Sequence, residues 1–116
     1  IHDPLYLAYV KKSLSSHGPM PPEREARMLE AMAAWNESMG ERVALEPRPM
    51  LVLVGAGHVV LDAGILESAR ARRALTQSVV LPVPHDGQPR PLAELLLELR
   101  KPENAGLAGF YWLLTL

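Results

Sequence analysis

Met50-Leu-Val-Leu-Val-Gly-Ala-Gly-His-Val-Val-Leu-Asp-Ala-Gly-Ile-Leu66 is the stretch on which the reading of this chain turns. Leu51 to Val54 form an unbroken apolar run, the pattern of a short strand buried on both faces. Gly55-Ala-Gly-His58 follows without a spacer, and glycines at a strand end let the backbone turn sharply and approach a ligand. In open α/β sheets ligands bind at the carboxyl ends of strands. That position makes His58 the candidate functional imidazole among the four histidines.

Working outward, residues 61–73 read as a helix ending in the basic cluster Arg70, Arg72 and Arg73, which suits a C-terminal dipole. On the other side, residues 23–45 read as a long amphipathic helix. Met28, Met32, Trp35, Met39 and Val43 recur at helical spacing, and Gly40 within it points to close packing. Asp3-Pro4 is a helix start for residues 5–14, and Gly18-Pro-Met-Pro-Pro22 is an extended connector. Downstream, residues 78–83 read as a strand whose Pro82 marks an end or edge, and residues 85–89 as a turn. Residues 91–99 read as a leucine-rich helix, and residues 110–115 as a closing strand. This order is α/β, with helices packed on a mainly parallel sheet. Three short strands are few for such a sheet. The expectation is therefore the C-terminal half of a larger α/β domain that begins upstream of Ile1.

With 116 residues, 48% of them hydrophobic, the chain is one domain or part of one and can bury a core. A net charge of −1 leaves no electrostatic footprint for nucleic acid. The absence of cysteine excludes disulfides and thiolate zinc sites. No Gly-x-Ser-x-Gly elbow, P-loop or dinucleotide fingerprint occurs, because Gly55-x-Gly57 continues as His-Val-Val.

Three ordered segments carry a family resemblance. Gly55-Ala-Gly-His58 followed by Gly64-Ile65 resembles the glycine–histidine segment of the ChaN-like haem-binding uptake proteins. Trp35-Asn-Glu-Ser-Met-Gly-Glu-Arg42 resembles the helix before it, where an Asp or Asn precedes Met-Ala in the family. Phe110-Tyr-Trp-Leu-Leu-Thr115 is similar to the family's aromatic last strand. The likeness runs over roughly residues 25–116, with residues 1–22 as a helix and connector before it. The same Gly-x-x-His element marks the wider Tiki, TraB and erythromycin-esterase-like superfamily. Two departures stand out: the acidic glycine-rich segment of an N-terminal half is missing, and Leu66 follows Gly64-Ile65 where ChaN-like sequences often carry proline.

The resemblance implies haem binding for bacterial iron or haem uptake, with no catalysis required and a cell-envelope location. Its partners would be haem and a second copy of the chain or a complementary N-terminal half. The residues expected at the cofactor are His58, Gly55, Gly57, Met39 and Tyr111. The alternative is a metal-dependent hydrolase of the Tiki/TraB type, with His58 on a divalent metal such as manganese or cobalt; a third is a non-catalytic interaction domain. Each candidate also has a plain structural reading. His58 would brace the next helix, the two glycines would serve only the turn, and the methionine–tryptophan stripe, whose thioethers and flat rings would suit the wall of a haem pocket, would be core. Asp62, four residues after His58, would orient the imidazole if the helix had begun by then. Tyr6, Tyr9 and Tyr111 are phenols of a type that ligates ferric haem. The arginine cluster is of a type that grips haem propionates. His2, His17 and His85 are expected in solvent.

Overall fold

A computed structural model of the protein describes residues 1–85, 91–102, 104 and 106–115. Among the described residues four α-helices and two strands occur in the order α1 (Pro4–Ser15), α2 (Pro22–Leu45), α3 (Ile65–Arg72), β1 (Val80–His85), α4 (Leu92–Leu99) and β2 (Phe110–Thr115). Two single turns of 3₁₀-helix, Ala56–His58 and Val60–Asp62, lie between α2 and α3. The chain divides into a unit spanning Ile1–Gln77 and another spanning Ser78–Leu116. No described helix is long and apolar enough to cross a membrane.

In the first unit, Asp3 caps α1 as its sequence signal predicts. Its Oδ1 accepts from the backbone N–H groups of Leu5 at 2.8 Å and Tyr6 at 3.2 Å. Helix α2 opens on Pro22 and carries Glu23 and Glu25 in its first turn, where acidic groups complement the dipole. Its buried positions are Asn36, Gly40 and Ala44, a ridge at spacing four. A Cβ on Gly40 would overlap the Ser68 side chain of α3 and lie 3.0 Å from the Ala69 amide nitrogen. The two helices therefore meet nearly backbone to backbone. The core that results consists of Tyr6, Val10, Ala44, Val60, Ala63, Ile65, Leu66 and Ala69.

This placement corrects the reading of the methionine–tryptophan stripe as core. Trp35 is 63% exposed and Met28 39% exposed, because the small-residue ridge takes the inner face and pushes the bulky side chains to its flank. Helix α3 also starts later than its sequence pattern suggests. Leu61 and Asp62 hold positive φ of 60° and 57°, and Gly64 follows at 62°, so no α-helix can run through them and α3 begins at Ile65. Asp62 thus never shares a helix face with His58. Its carboxylate instead takes Arg70 Nη1 at 2.7 Å, while Arg70 Nη2 donates to the Asp62 carbonyl at 2.7 Å.

The expected strand at Leu51–Val54 is a second correction. These residues join no ladder among the described residues, and Leu51 and Leu53 are 84% and 88% exposed. An apolar run becomes a strand only where a neighbour takes its N–H and C=O groups, and none does here.

The second unit is a strand–helix–strand segment. β1 pairs with β2 in parallel, from Val80 opposite Phe110 to His85 opposite Thr115, with α4 as the crossover that parallel strands require. Both strands are edges of a two-stranded sheet, which accommodates Pro82 within β1. The architecture is α/β with a parallel sheet, as the element order implies. The turn expected at 85–89 lies, beyond His85, outside the described residues.

Candidate functional site

A cleft of about 320 Å³ opens on the first unit between α2 and the glycine–histidine turn. Trp35, Ser38, Met39, Val54, Gly55 and His58 line it. Trp35, Ser38 and Met39 belong to the flank of α2 that the core excludes, which is why an indole and a thioether line the cleft. The indole and imidazole rings lie 6.1 Å apart between centroids and are tilted by 41°.

His58 is held at both its backbone and its ring. Its amide N–H donates to the Gly55 carbonyl at 3.0 Å, closing the 3₁₀ turn. A Cβ on Gly64 would overlap the His58 carbonyl and lie 3.0 Å from the Tyr6 hydroxyl. Only glycine, at its φ of 62°, lets the chain pass that close. Nδ1 of the ring lies 2.7 Å from Asn36 Oδ1. Asn36 is 5% exposed, and its Nδ2 donates to the Tyr6 hydroxyl at 2.9 Å. Tyr6, 2% exposed, donates in turn to the Gly57 carbonyl at 2.7 Å.

Nε2 of His58 has no protein partner among the described residues. Since no buried side-chain nitrogen or oxygen there lacks a partner, Nε2 is not fully buried. Burial pushes the imidazole below its ordinary range, so the ring is neutral at physiological pH. A neutral imidazole with one ring nitrogen held and the other without a protein partner is the arrangement of a metal-ligating histidine.

His58, Gly55 and Met39 meet in this cleft, and Gly57 contributes a carbonyl to the network behind it. Tyr111 lies in the second unit, where its hydroxyl donates to the Asn104 carbonyl at 3.0 Å. Tyr6 is not a free phenol. Burial, the leading influence, raises it above its ordinary range and disfavours a phenolate. The three arginines are already engaged. Arg70 clamps Asp62, and Arg72 pairs with Glu37 at 2.7 Å and with Ser68. Arg73 donates to the Glu46 carbonyl at the end of α2 at 2.9 Å. His2 and His17 are exposed. Sequence reasoning missed Asn36 and Ser38, whereas Trp35 belongs to the stripe it weighs as a haem-pocket wall. The available signal was Asn36 itself, a polar residue heading a ridge of small residues at spacing four.

A family model described as haem-binding uptake, Tiki superfamily, ChaN matches residues 1–68. That is more than half of the 116 residues. The chain belongs to this ChaN family. The match takes in α1, α2 and the glycine–histidine turn, and it stops short of the closing aromatic strand on which part of the resemblance was read. Every residue of the ChaN-family cleft and of the network behind it falls within the matched span. No curated protein and no solved structure matched the chain. Among the described residues no three His, Cys, Asp or Glu side chains gather as a metal site.

Proposed function

We propose that this ChaN-family chain binds haem in the Trp35–His58 cleft, with His58 Nε2 directed at the iron. The observation that carries the reading is a half-buried imidazole whose Nε2 has no protein partner among the described residues, in a cleft lined mainly by apolar groups. The donor set fits the group. Imidazole nitrogen is a normal axial ligand, and the Trp35 indole and Met39 thioether supply flat and deformable apolar surface for a porphyrin face. When bound, the iron supplies a Lewis-acidic centre for that nitrogen; the chain's own residues bind, orient and shield. No step of bond breaking follows from the arrangement, so the reading is carriage of haem. Its setting, inferred from family membership, is bacterial haem or iron acquisition at the cell envelope.

Haemin titration of the chain tests the reading. The expected result is a saturable Soret shift that is lost in His58→Ala and restored when free imidazole is added to that variant. A circular dichroism spectrum unchanged from the parent shows that the variant is folded. The absence of a saturable shift in the parent, or an unaltered shift in His58→Ala, overturns the proposal.

A further inference from the structure

We propose that Tyr6 and Asn36 are positioning residues. They form a one-way hydrogen-bond relay, anchored on the Gly57 carbonyl, that fixes His58 as its Nδ1–H tautomer and leaves the Nε2 lone pair facing the cleft. The inference deepens the haem reading, because it states which form of the histidine the fold selects and which side chains select it.

The direction of the relay follows from its first member. A backbone carbonyl only accepts, so the Tyr6 hydroxyl, 2.7 Å from Gly57 O, must spend its single proton there. That hydroxyl then has only lone pairs to offer Asn36, so the group at 2.9 Å must be the amide NH₂. With its NH₂ committed, Asn36 presents its carbonyl oxygen to the ring, 2.7 Å from Nδ1. Two acceptors at that distance would repel, so Nδ1 carries the proton. In a neutral imidazole the lone pair is then on Nε2.

Any reversal along the line costs a hydrogen bond in a buried setting. Flipping the Asn36 amide would set its NH₂ against Nδ1–H and its oxygen against a Tyr6 hydroxyl already pledged to Gly57. Tyr6 and Asn36 are 2% and 5% exposed, so water does not readily replace the lost partner. The relay also closes on itself: it begins at the carbonyl of residue 57 and ends at the ring of residue 58. Helices α1 and α2 thereby grip the turn from the backbone side and the side-chain side at once. An amide at this place, unlike a carboxylate, orients the ring without drawing its remaining proton away. His58 is therefore offered as neutral imidazole. Tyr6, although a phenol within reach of the site, acts through Asn36 and does not touch the ligand.

Long-range proton–nitrogen spectra of the ¹⁵N-labelled, ligand-free chain read the tautomer directly. The parent is expected to show His58 with its proton on Nδ1. In Tyr6→Phe the anchor is gone and Asn36 is free to flip. The Nδ1–H to Nε2–H ratio should then fall by roughly fivefold to tenfold, the equilibrium equivalent of one neutral hydrogen bond. A parent spectrum showing Nε2–H overturns the inference, whether or not the variant folds. A folded Tyr6→Phe with an unchanged ratio also overturns it. Because no haem is present, the result stands apart from the haemin titration. An Nδ1–H histidine in a chain that ignores haemin refutes only the ligand, and an Nε2–H histidine in a chain that binds haemin refutes only the relay.

Discussion

Substituting Gly40 by alanine sets two opposing effects against each other. In an ordinary helix interior the change is favourable by about 1 kcal/mol, because glycine gives up more backbone freedom on folding. Here the added Cβ would lie 2.5 Å from Ser68 Cβ and 3.0 Å from the Ala69 amide nitrogen. Ser68 cannot swing aside cheaply. Its Oγ accepts from Arg72 at 2.7 Å and donates to the Glu37 carbonyl at 3.4 Å. Helix α3 must retreat, and overpacking of this kind costs about 1–3 kcal/mol while loosening the contacts of fully buried Ala69. The cost therefore outweighs the propensity gain, for a net loss of about 1 kcal/mol. Urea unfolding followed by far-ultraviolet circular dichroism should show an earlier midpoint at unchanged slope. Gly55→Ala is the matched control. At its φ of −59° the nearest atom to a new Cβ is His58 Cδ2 at 3.8 Å, an ordinary contact. That change should leave stability equal or raise it by about 0.4–1 kcal/mol. A Gly40→Ala chain as stable as the parent, or more so, would refute the account of how α2 meets α3.

Two further outcomes follow from the turn that carries His58. Burial lowers the imidazole, so as pH falls the unfolded chain takes up this proton before the folded one does. The site's contribution is complete above the unfolded value of about 6.5 and is lost as pH drops from there toward the lower folded value. Urea midpoints between pH 5 and 8 should lose this slope in His58→Gln, and an identical slope in parent and variant would refute it. Glu37, lowered chiefly by its hydrogen bond from Arg72, acts in a separate window beginning near its ordinary 4.5, with its contribution present above and lost below. Arg70→Gln removes the clamp on the two left-handed residues Leu61 and Asp62. The expected loss is at most about 1 kcal/mol, because the ion pair and the hydrogen bond to the carbonyl are both exposed. Hydrogen exchange should quicken at the amide of Ala63, whose bond to the Val60 carbonyl spans Leu61 and Asp62, and unaltered exchange there would count against the clamp.

The amino-acid sequence by itself determined the local structure: where α1 is capped, how far α2 runs, where the closing strand lies, and that the backbone turns at Gly55-Ala-Gly-His58. These depend on short-range effects, namely an Asp-Pro start, helical spacing, and prolines that cannot donate. The tertiary structure alone decided what those elements face. Leu51–Val54 has the composition of a buried strand, yet pairing depends on a partner distant in sequence, and no described residue supplies one. The methionine–tryptophan stripe has the spacing of a core face, yet the Asn36–Gly40–Ala44 ridge allows closer approach and takes that place. Tyr6 is 51 residues from the carbonyl it holds and 30 from the amide that links it to His58. Hydrogen-bond direction across such separations leaves no periodic trace along a chain, because it exists only once folding brings a lone acceptor, a hydroxyl and an amide into line.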